Sequence, residues 1–354
     1  MVAIQRGANR RVFLKAALAG GVGACAGRWP LAAGAEEPAR PTSRVALTAG
    51  DDRADNVFRG LKLFARQIAE AIGDRPVVIK PNNVAIDIQL SATHADALEG
   101  ILEFLKSIGK AKQAVIAESA ANGLTLEGFA NYGYPRVAEK YGVQQVDLDQ
   151  EPHEVVYVFD EKDFRPHPVR MAKRLLDPKA FIISAAKMKT HDLVVTTLSL
   201  KNILLGAPIK QGYLAGKRRN ADATNDKRIV HGNGVRALNY NLFALARQLH
   251  PHLAIIDGYD GMQGYGPTRG TAVDHRVCVV GTDWLAADRV AVELMGIDFA
   301  KVGNLNYCAQ GGLGEGDLKR IDVVGEPLAR HIKNYQLAPN IESQLIWMKP
   351  PQSS

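Results

Sequence analysis

Two lysines and a histidine alternate in Lys187-Met188-Lys189-Thr190-His191. In an extended segment, residues two apart share a side, so this stretch would present two cations and an imidazole together. That set suits an anionic substrate, or a lysine whose proton a neighbouring cation loosens so that its amine acts as nucleophile or base. Asp257 follows directly on the apolar run Leu253 to Ile256, and with His191 it offers acid–base chemistry. Lys187, Lys189, His191 and Asp257 are therefore the candidate catalytic residues. Lys80-Pro81-Asn82 sets a cation and an amide around a turn fixed by proline. Lys201-Asn202 repeats that pairing after the stretch Thr196 to Leu200. Lys80, Asn82, Lys201 and Asn202 are the candidate substrate-binding residues. Glu118, at the end of Ala114 to Ala117, and His231, beside Gly232, are candidate ligands for a divalent metal, in a mixed site of His191 or His231 with Glu118 and Asp257. Each of these groups also has an ordinary structural use: a solvated lysine, a helix-capping carboxylate, a histidine bonded to backbone.

The elements that must position these groups are legible as short apolar runs. Val77-Val78-Ile79, Ala114 to Ala117, Phe181-Ile182-Ile183, Leu253 to Ile256 and Val277 to Val280 suit strands buried on both faces. Between them, helical spacing runs from Val57 to Ile72, stopping at Gly73, and from an N-cap at Ser91 to Ile108, stopping at Gly109. Val235 to Leu249 and Trp284 to Met295 repeat the pattern, with Asp283 as N-cap and Asp288 in the first turns. Strand–helix alternation predicts an α/β fold with a mainly parallel sheet and helices on both faces. Ligands bind beyond the carboxyl ends of strands in such sheets, and here those ends carry Lys80, Glu118, Lys187 to Asp192, Asp257 and Asp283. The segment 207–234 has many glycines and bases and little apolar pattern, which predicts a lid, a binding loop or a solvated excursion.

Several chemistries lack their signatures. The glycine-rich stretch 258–267 matches neither a dinucleotide fingerprint nor a phosphate loop, and Pro267 interrupts any immediate helix. There is no G-x-S-x-G elbow and no H-E-x-x-H spacing.

The first residues read differently from the rest. Arg10-Arg11-Val12-Phe13-Leu14-Lys15, a small apolar run from Ala16 to Ala24, and Ala33-Gly34-Ala35 form a twin-arginine export signal with a cleavage site. The expected organisation is a signal over 1–35, a flexible leader over 36–43 and a single α/β domain over 44–354. Export makes the twin-arginine machinery a partner and the periplasm, or another exported location, the destination. Val22-Gly23-Ala24-Cys25 also loosely resembles a lipobox, so a lipoprotein anchored at Cys25 is the alternative. Residues 1–35 hold five cations and no acid, so cleavage lowers the formal charge from +7 to +2. A mature body so nearly neutral argues against a nucleic-acid binder. No stretch is long and apolar enough to span a bilayer. The mature chain keeps only Cys278 and Cys308, as a disulfide or as two buried thiols, too few for a four-cysteine iron–sulfur cluster.

Lys80-Pro81-Asn82, Glu118-Ser119, Lys187-Met188-Lys189-Thr190-His191, Leu200-Lys201-Asn202, Gly206, Asp257-Gly258, Gly264-Tyr265-Gly266-Pro267 and Gly281-Thr282-Asp283 occur in this order. In these motifs, over residues 75–325, the chain resembles the family catalogued as domain of unknown function 362. Many proteins of that family carry an added ferredoxin-like segment with cysteine clusters, which this chain lacks, so the resemblance implies no iron–sulfur role here. Two functions fit the residues. One is an exported enzyme acting on a small anionic substrate at the strand ends, with or without a divalent metal. The alternative is a periplasmic ligand- or cofactor-binding accessory protein without catalysis.

Overall fold

The computed structural model describes residues 43–350. The expected signal and nearly all of the leader lie outside them, and Ser43, placed in the leader, is already the first residue of a strand. The strands are β1 (Ser43–Ala49), β2 (Val77–Lys80), β3 (Ala114–Glu118), β4 (Gln144–Asp147), β5 (His153–Phe159), β6 (Pro166–Ala172) and β7 (Phe181–His191). They continue with β8 (Val195–Thr197), β9 (Lys210–Tyr213), β10 (Arg219–Asn225), β11 (Leu253–Gln263), β12 (Thr271–Gly281) and β13 (Ile321–Gly325).

Nine of them form one sheet in the order β13-β1-β12-β11-β7-β2-β3-β4, with β8 paired to β7. Only β12 and β8 run against the others. The fold is thus α/β with a mainly parallel sheet, as the strand–helix alternation implied.

Both faces are covered because the central strands are apolar on both sides. Helices α1 (Arg53–Lys62), α2 (Ala65–Ile72), α3 (Ala95–Ser107), α4 (Thr125–Asn131) and α5 (Tyr134–Tyr141) cover one face. There Val57, Ile68, Leu102, Phe129 and Val137 share a core with Ile79, Ile116, Ile183 and Ile255. The second core takes its helical residues from α6 (Lys173–Leu176), α7 (Ser199–Gly206), α8 (Lys227–Val230), α9 (Val235–Ala246), α10 (Trp284–Leu294), α11 (Gly303–Gln310) and α12 (Ile341–Gln344). In it Leu204, Leu242, Val290 and Leu305 meet Val78, Ile182, Ile256 and Val279. Each fully buried aliphatic side chain of this kind contributes about 1.5–3 kcal/mol.

Three local expectations are corrected and one is extended. The helix expected over Val57 to Ile72 is two helices, because the chain turns at Leu63 and Phe64 without glycine or proline. The cap of α3 is His94, whose Nδ1 accepts from Asp96 N at 3.2 Å, rather than Ser91. Ser91 Oγ is turned back to the Ile88 carbonyl at 2.8 Å. The segment 207–234 is not one loop, since β9 and β10 pair antiparallel and α8 follows. Asp288 belongs to more than its own helix: its carboxylate accepts from Ser199 N at 2.8 Å and Leu200 N at 3.1 Å, which caps α7. Asp283 does cap α10, accepting from Leu285 N and Ala286 N at 3.0 Å each. Cys278 and Cys308 are both free, buried thiols. No helix among the described residues is long and apolar enough to cross a membrane.

Candidate functional site

β2 ends on Lys80, which is 1% exposed. Its ammonium has three protons to place and places all three: Glu118 Oε2 at 2.7 Å, the Pro81 carbonyl at 2.8 Å and Asn202 Oδ1 at 3.0 Å. Glu118, the last residue of β3, also accepts from Asn83 N at 3.1 Å and Ser119 N at 2.8 Å. Asn202, on α7, donates to the Lys80 carbonyl at 3.1 Å and Ser184 Oγ at 3.0 Å. Burial pulls the Lys80 pKa below its ordinary value while Glu118 pulls it back up. Gly206, at the end of α7, lets this cluster close. A Cβ there would lie 1.7 Å from Lys80 Cε and 2.1 Å from Nζ.

This cluster forms one wall of a cavity of about 220 Å³. That is below the ~300–1,000 Å³ of pockets for drug-sized ligands, so the cavity suits a small molecule. The β7 end, α7, α8 and the loops after β2 and β3 supply the rest, including His191, Lys201, Lys227, His231 and Thr197. Three lysines thus face it with a single carboxylate, Glu118.

The three lysines differ in how they are held. Lys227 Nζ donates to Ser119 Oγ at 2.7 Å and closely to the Pro208 carbonyl. Ser119 Oγ in turn donates to Asp149 Oδ1 at 2.5 Å, and Asp149 is ion-paired with Lys210. Burial lowers the Lys227 pKa to about 7 against the pull of Asp149. Lys201, the third residue of α7, is 7% exposed, and its nitrogen has no hydrogen-bond or ion-pair partner among the described residues. Burial lowers its pKa to about 8, and the Asp192 charge only partly opposes this.

The two imidazoles present opposite valences. His231 Nδ1 lies 2.7 Å from the Lys227 carbonyl, which can only accept, so that nitrogen carries the proton and Nε2 keeps a lone pair. His191 Nδ1 accepts from Leu193 N at 3.0 Å, so its proton resides on Nε2. Asp192 Oδ1 stands 3.3 Å from the same Nδ1. The Leu193 N–H already points at that nitrogen, which leaves no room for a shared proton and makes the contact no ion pair. Both rings stay neutral at neutral pH. Burial, then the Lys201 charge, lowers His231 to about 4 and holds His191 well below its ordinary value. Asn82 Oδ1, Asn83 Nδ2 and Thr197 Oγ1, on residues that line the cavity, are buried and unpartnered. Buried polar atoms without partners are costly and uncommon in proteins, and three of them belong to residues of this one cavity.

The other candidate residues lie elsewhere. In β7, Phe181, Ile183 and Ala185 pack in the core beneath α1 to α3, and Lys187 and Lys189 continue that alternation. Lys187 Nζ stands 3.5 Å from Asp257 Oδ2, and Arg53 of α1 approaches the same oxygen at 3.4 Å and pairs with Asp260. Burial would raise Asp257, but Lys187 and Arg53 hold it below its ordinary value. Lys189 donates to the Ser91 carbonyl at 2.7 Å. Burial, then Lys201, Lys187 and Lys80, depress its pKa strongly. Lys80 and Glu118 end β2 and β3, while Lys187 and Asp257 lie within β7 and β11, which run on past the level of the β2 end to His191 and Gln263. Lys80 shares no wall with Lys187 and Lys189, because these two stand on the face of β7 packed by α1 to α3 and neither lines the cavity.

Nor does the structure gather Glu118, His231, His191 and Asp257 into one metal-ligand group. Glu118 is engaged by Lys80 and two backbone N–H groups. Among the described residues, the three-ligand grouping that does form is Asp160, Asp163 and His167, at the β5–β6 turn. Lys227 was missed as a site residue. It precedes His231 by four positions, one helical turn, and that spacing was the available signal.

The family described as Domain of unknown function (DUF362) matches residues 77–293. No curated protein matches the chain. No solved structure matches it either.

Proposed function

Because the chain belongs to the DUF362 family, whose description assigns no reaction, we propose its function from the cavity: an exported enzyme that binds a small anion there and acts on it. The observation that carries this reading is the charge imbalance of the cavity, three buried lysines facing one carboxylate. Lys80 and Glu118 neutralise each other, which leaves Lys201 and Lys227 as the positive charge an anion would meet. Asn82, Asn83 and Thr197 add polar atoms that no protein group satisfies. Lysine offers a point charge that suits phosphate or carboxylate without planar pairing.

The enzyme reading is preferred to a binding accessory because the cavity holds more than an anion needs. The unpartnered Lys201 amine, the His231 lone pair and the His191 Nε2–H are a nucleophile, a base and a donor. His231 Nε2 would accept either a proton or a divalent cation entering with the anion, and elemental analysis of purified protein separates the two.

Calorimetry with phosphate, sulfate and small carboxylates tests the reading. One of them is expected to bind the wild type, and Lys201→Gln or Lys227→Gln is expected to weaken it by about ten-fold or more, about 1.4 kcal/mol. Equal binding by the variants, or no binding by the wild type, removes the anion site.

Export is tested separately. Replacing Arg10 and Arg11 together by lysine is expected to leave uncleaved precursor in the cytoplasm. The wild-type mature chain is expected to begin at Glu36, and one beginning at Cys25 would show the lipoprotein route instead.

A further inference from the structure

The three cavity lysines are not equivalent. Lys80 has all three of its protons, and Lys227 two of its three, committed to named acceptors. Lys201 has none. Lys201 lines the cavity with its nitrogen uncommitted, and burial lowers its pKa to about 8, so the ammonium exchanges with a free amine close to neutral pH. The ammonium form attracts an anion into the cavity, and the amine form is a nucleophile. It stands in the company of two neutral imidazoles whose titration it influences directly, one offering a lone pair and the other an N–H.

We propose that Lys201 captures the carbonyl carbon of a small oxo acid as an imine, with the acid's anionic group held by the remaining cations of the cavity. This rests on the anion-site reading above and names its substrate class. The amine lone pair forms the C–N bond as the carbonyl π pair moves onto oxygen, where His191 Nε2–H can donate a hydrogen bond. His231 Nε2 takes the proton released by the nitrogen and delivers it to that oxygen, giving a neutral carbinolamine. Loss of the hydroxyl as water, with one further proton from the nitrogen, leaves the C=N bond. One water is released, no electron changes hands and no co-reactant is needed. A burial of the reacting amine that lowers its pKa to about 8 keeps a useful fraction unprotonated near neutral pH.

Trapping tests this on the intact mature protein. Pyruvate or glyoxylate is added with cyanoborohydride, which reduces an imine to a stable secondary amine, and the digested protein is mapped by mass spectrometry. The reduced adduct is expected on the peptide carrying Lys201, in clear excess over every other lysine. It is expected to be suppressed by excess sulfate and lost in Lys201→Gln. If calorimetry shows either oxo acid binding while Lys201 stays unlabelled, the covalent step is wrong and the anion site stands. If neither the oxo acids nor sulfate bind and no adduct forms, both fail. Labelling spread over surface lysines and indifferent to sulfate also overturns the assignment.

Discussion

Gly206→Ala is expected to cost about 3 kcal/mol or more and to abolish anion binding. The added Cβ would lie 1.7 Å from Lys80 Cε, 2.1 Å from Nζ and 2.9 Å from Glu118 Oε1. Both neighbours are side-chain ends, yet the ammonium is fixed by three acceptors and the carboxylate by that ammonium and two backbone N–H groups. Displacing the ammonium leaves Glu118, 1% exposed, with two backbone donors but no counter-charge. Breaking a buried pair from one side is far more damaging than replacing both partners. The double variant Lys80→Met, Glu118→Leu should therefore be more stable than Lys80→Met alone, and Gly206→Ala should cost less in that background. Urea denaturation gives both comparisons through the midpoint at constant slope. A loss below about 1 kcal/mol for Gly206→Ala, the scale of a single hydrogen bond, would mean the cluster yields without breaking.

Much of the fold was legible because the central strands are buried on both faces and announce themselves as apolar runs. Val77 to Ile79, Phe181 to Ile183 and Leu253 to Ile256 all fall inside the observed β2, β7 and β11. What escaped has no such period. β9 and β10 pair through Gln211 with Thr224 and Lys210 with Asn225, largely polar residues whose pairing is carried by backbone. The α1–α2 break has no glycine or proline to mark it.

The site was legible in its residues but not in its partition. Alternation along β7 correctly puts Lys187 and Lys189 on a common side. Whether that side also holds Lys80 depends on register, here Lys80 beside Ser184, and on which helices cover each face. Neither can be read locally. The pairing of Arg53 with Asp257 spans 204 positions, and no short motif encodes such a contact.

The free protein is expected to gain stability as pH rises from about 7 to about 10, while its affinity for sulfate falls. Lys227 and Lys201 have folded-state pKa values of about 7 and about 8 against an ordinary 10.5. Between those limits the unfolded chain holds protons that the folded chain has released. Stability therefore increases with pH, by at most about 1.4 kcal/mol per pH unit for each lysine. Below about pH 7 both states carry the charge, the burial cost is constant and the slope from these groups vanishes. Lys80, Lys187 and Lys189, also lowered by burial, add to the rise, while the buried thiols Cys278 and Cys308, raised from an ordinary 9, oppose it above about pH 9. His231 and His252 titrate near 4 and Asp288 near 6, below the window, and Tyr132, raised to about 12, begins to oppose only above about pH 10. The charges around Lys227 are Asp149, Lys210, Glu118 and Lys80, and Asp192 is the one acting on Lys201. Sulfate does not titrate here, so an anion in the cavity acts only by favouring the ammonium forms. Its binding near pH 8 should take up protons, visible as a calorimetric heat that depends on the buffer's ionisation enthalpy. Its stabilisation of the protein in a thermal-shift series should be largest near pH 7 and fade by about pH 10. Lys227→Met and Lys201→Met should each flatten the pH slope of the free protein and reduce the proton uptake. A sulfate effect constant from pH 7 to 10, or a proton uptake unchanged in both variants, would place the bound anion somewhere other than these lysines.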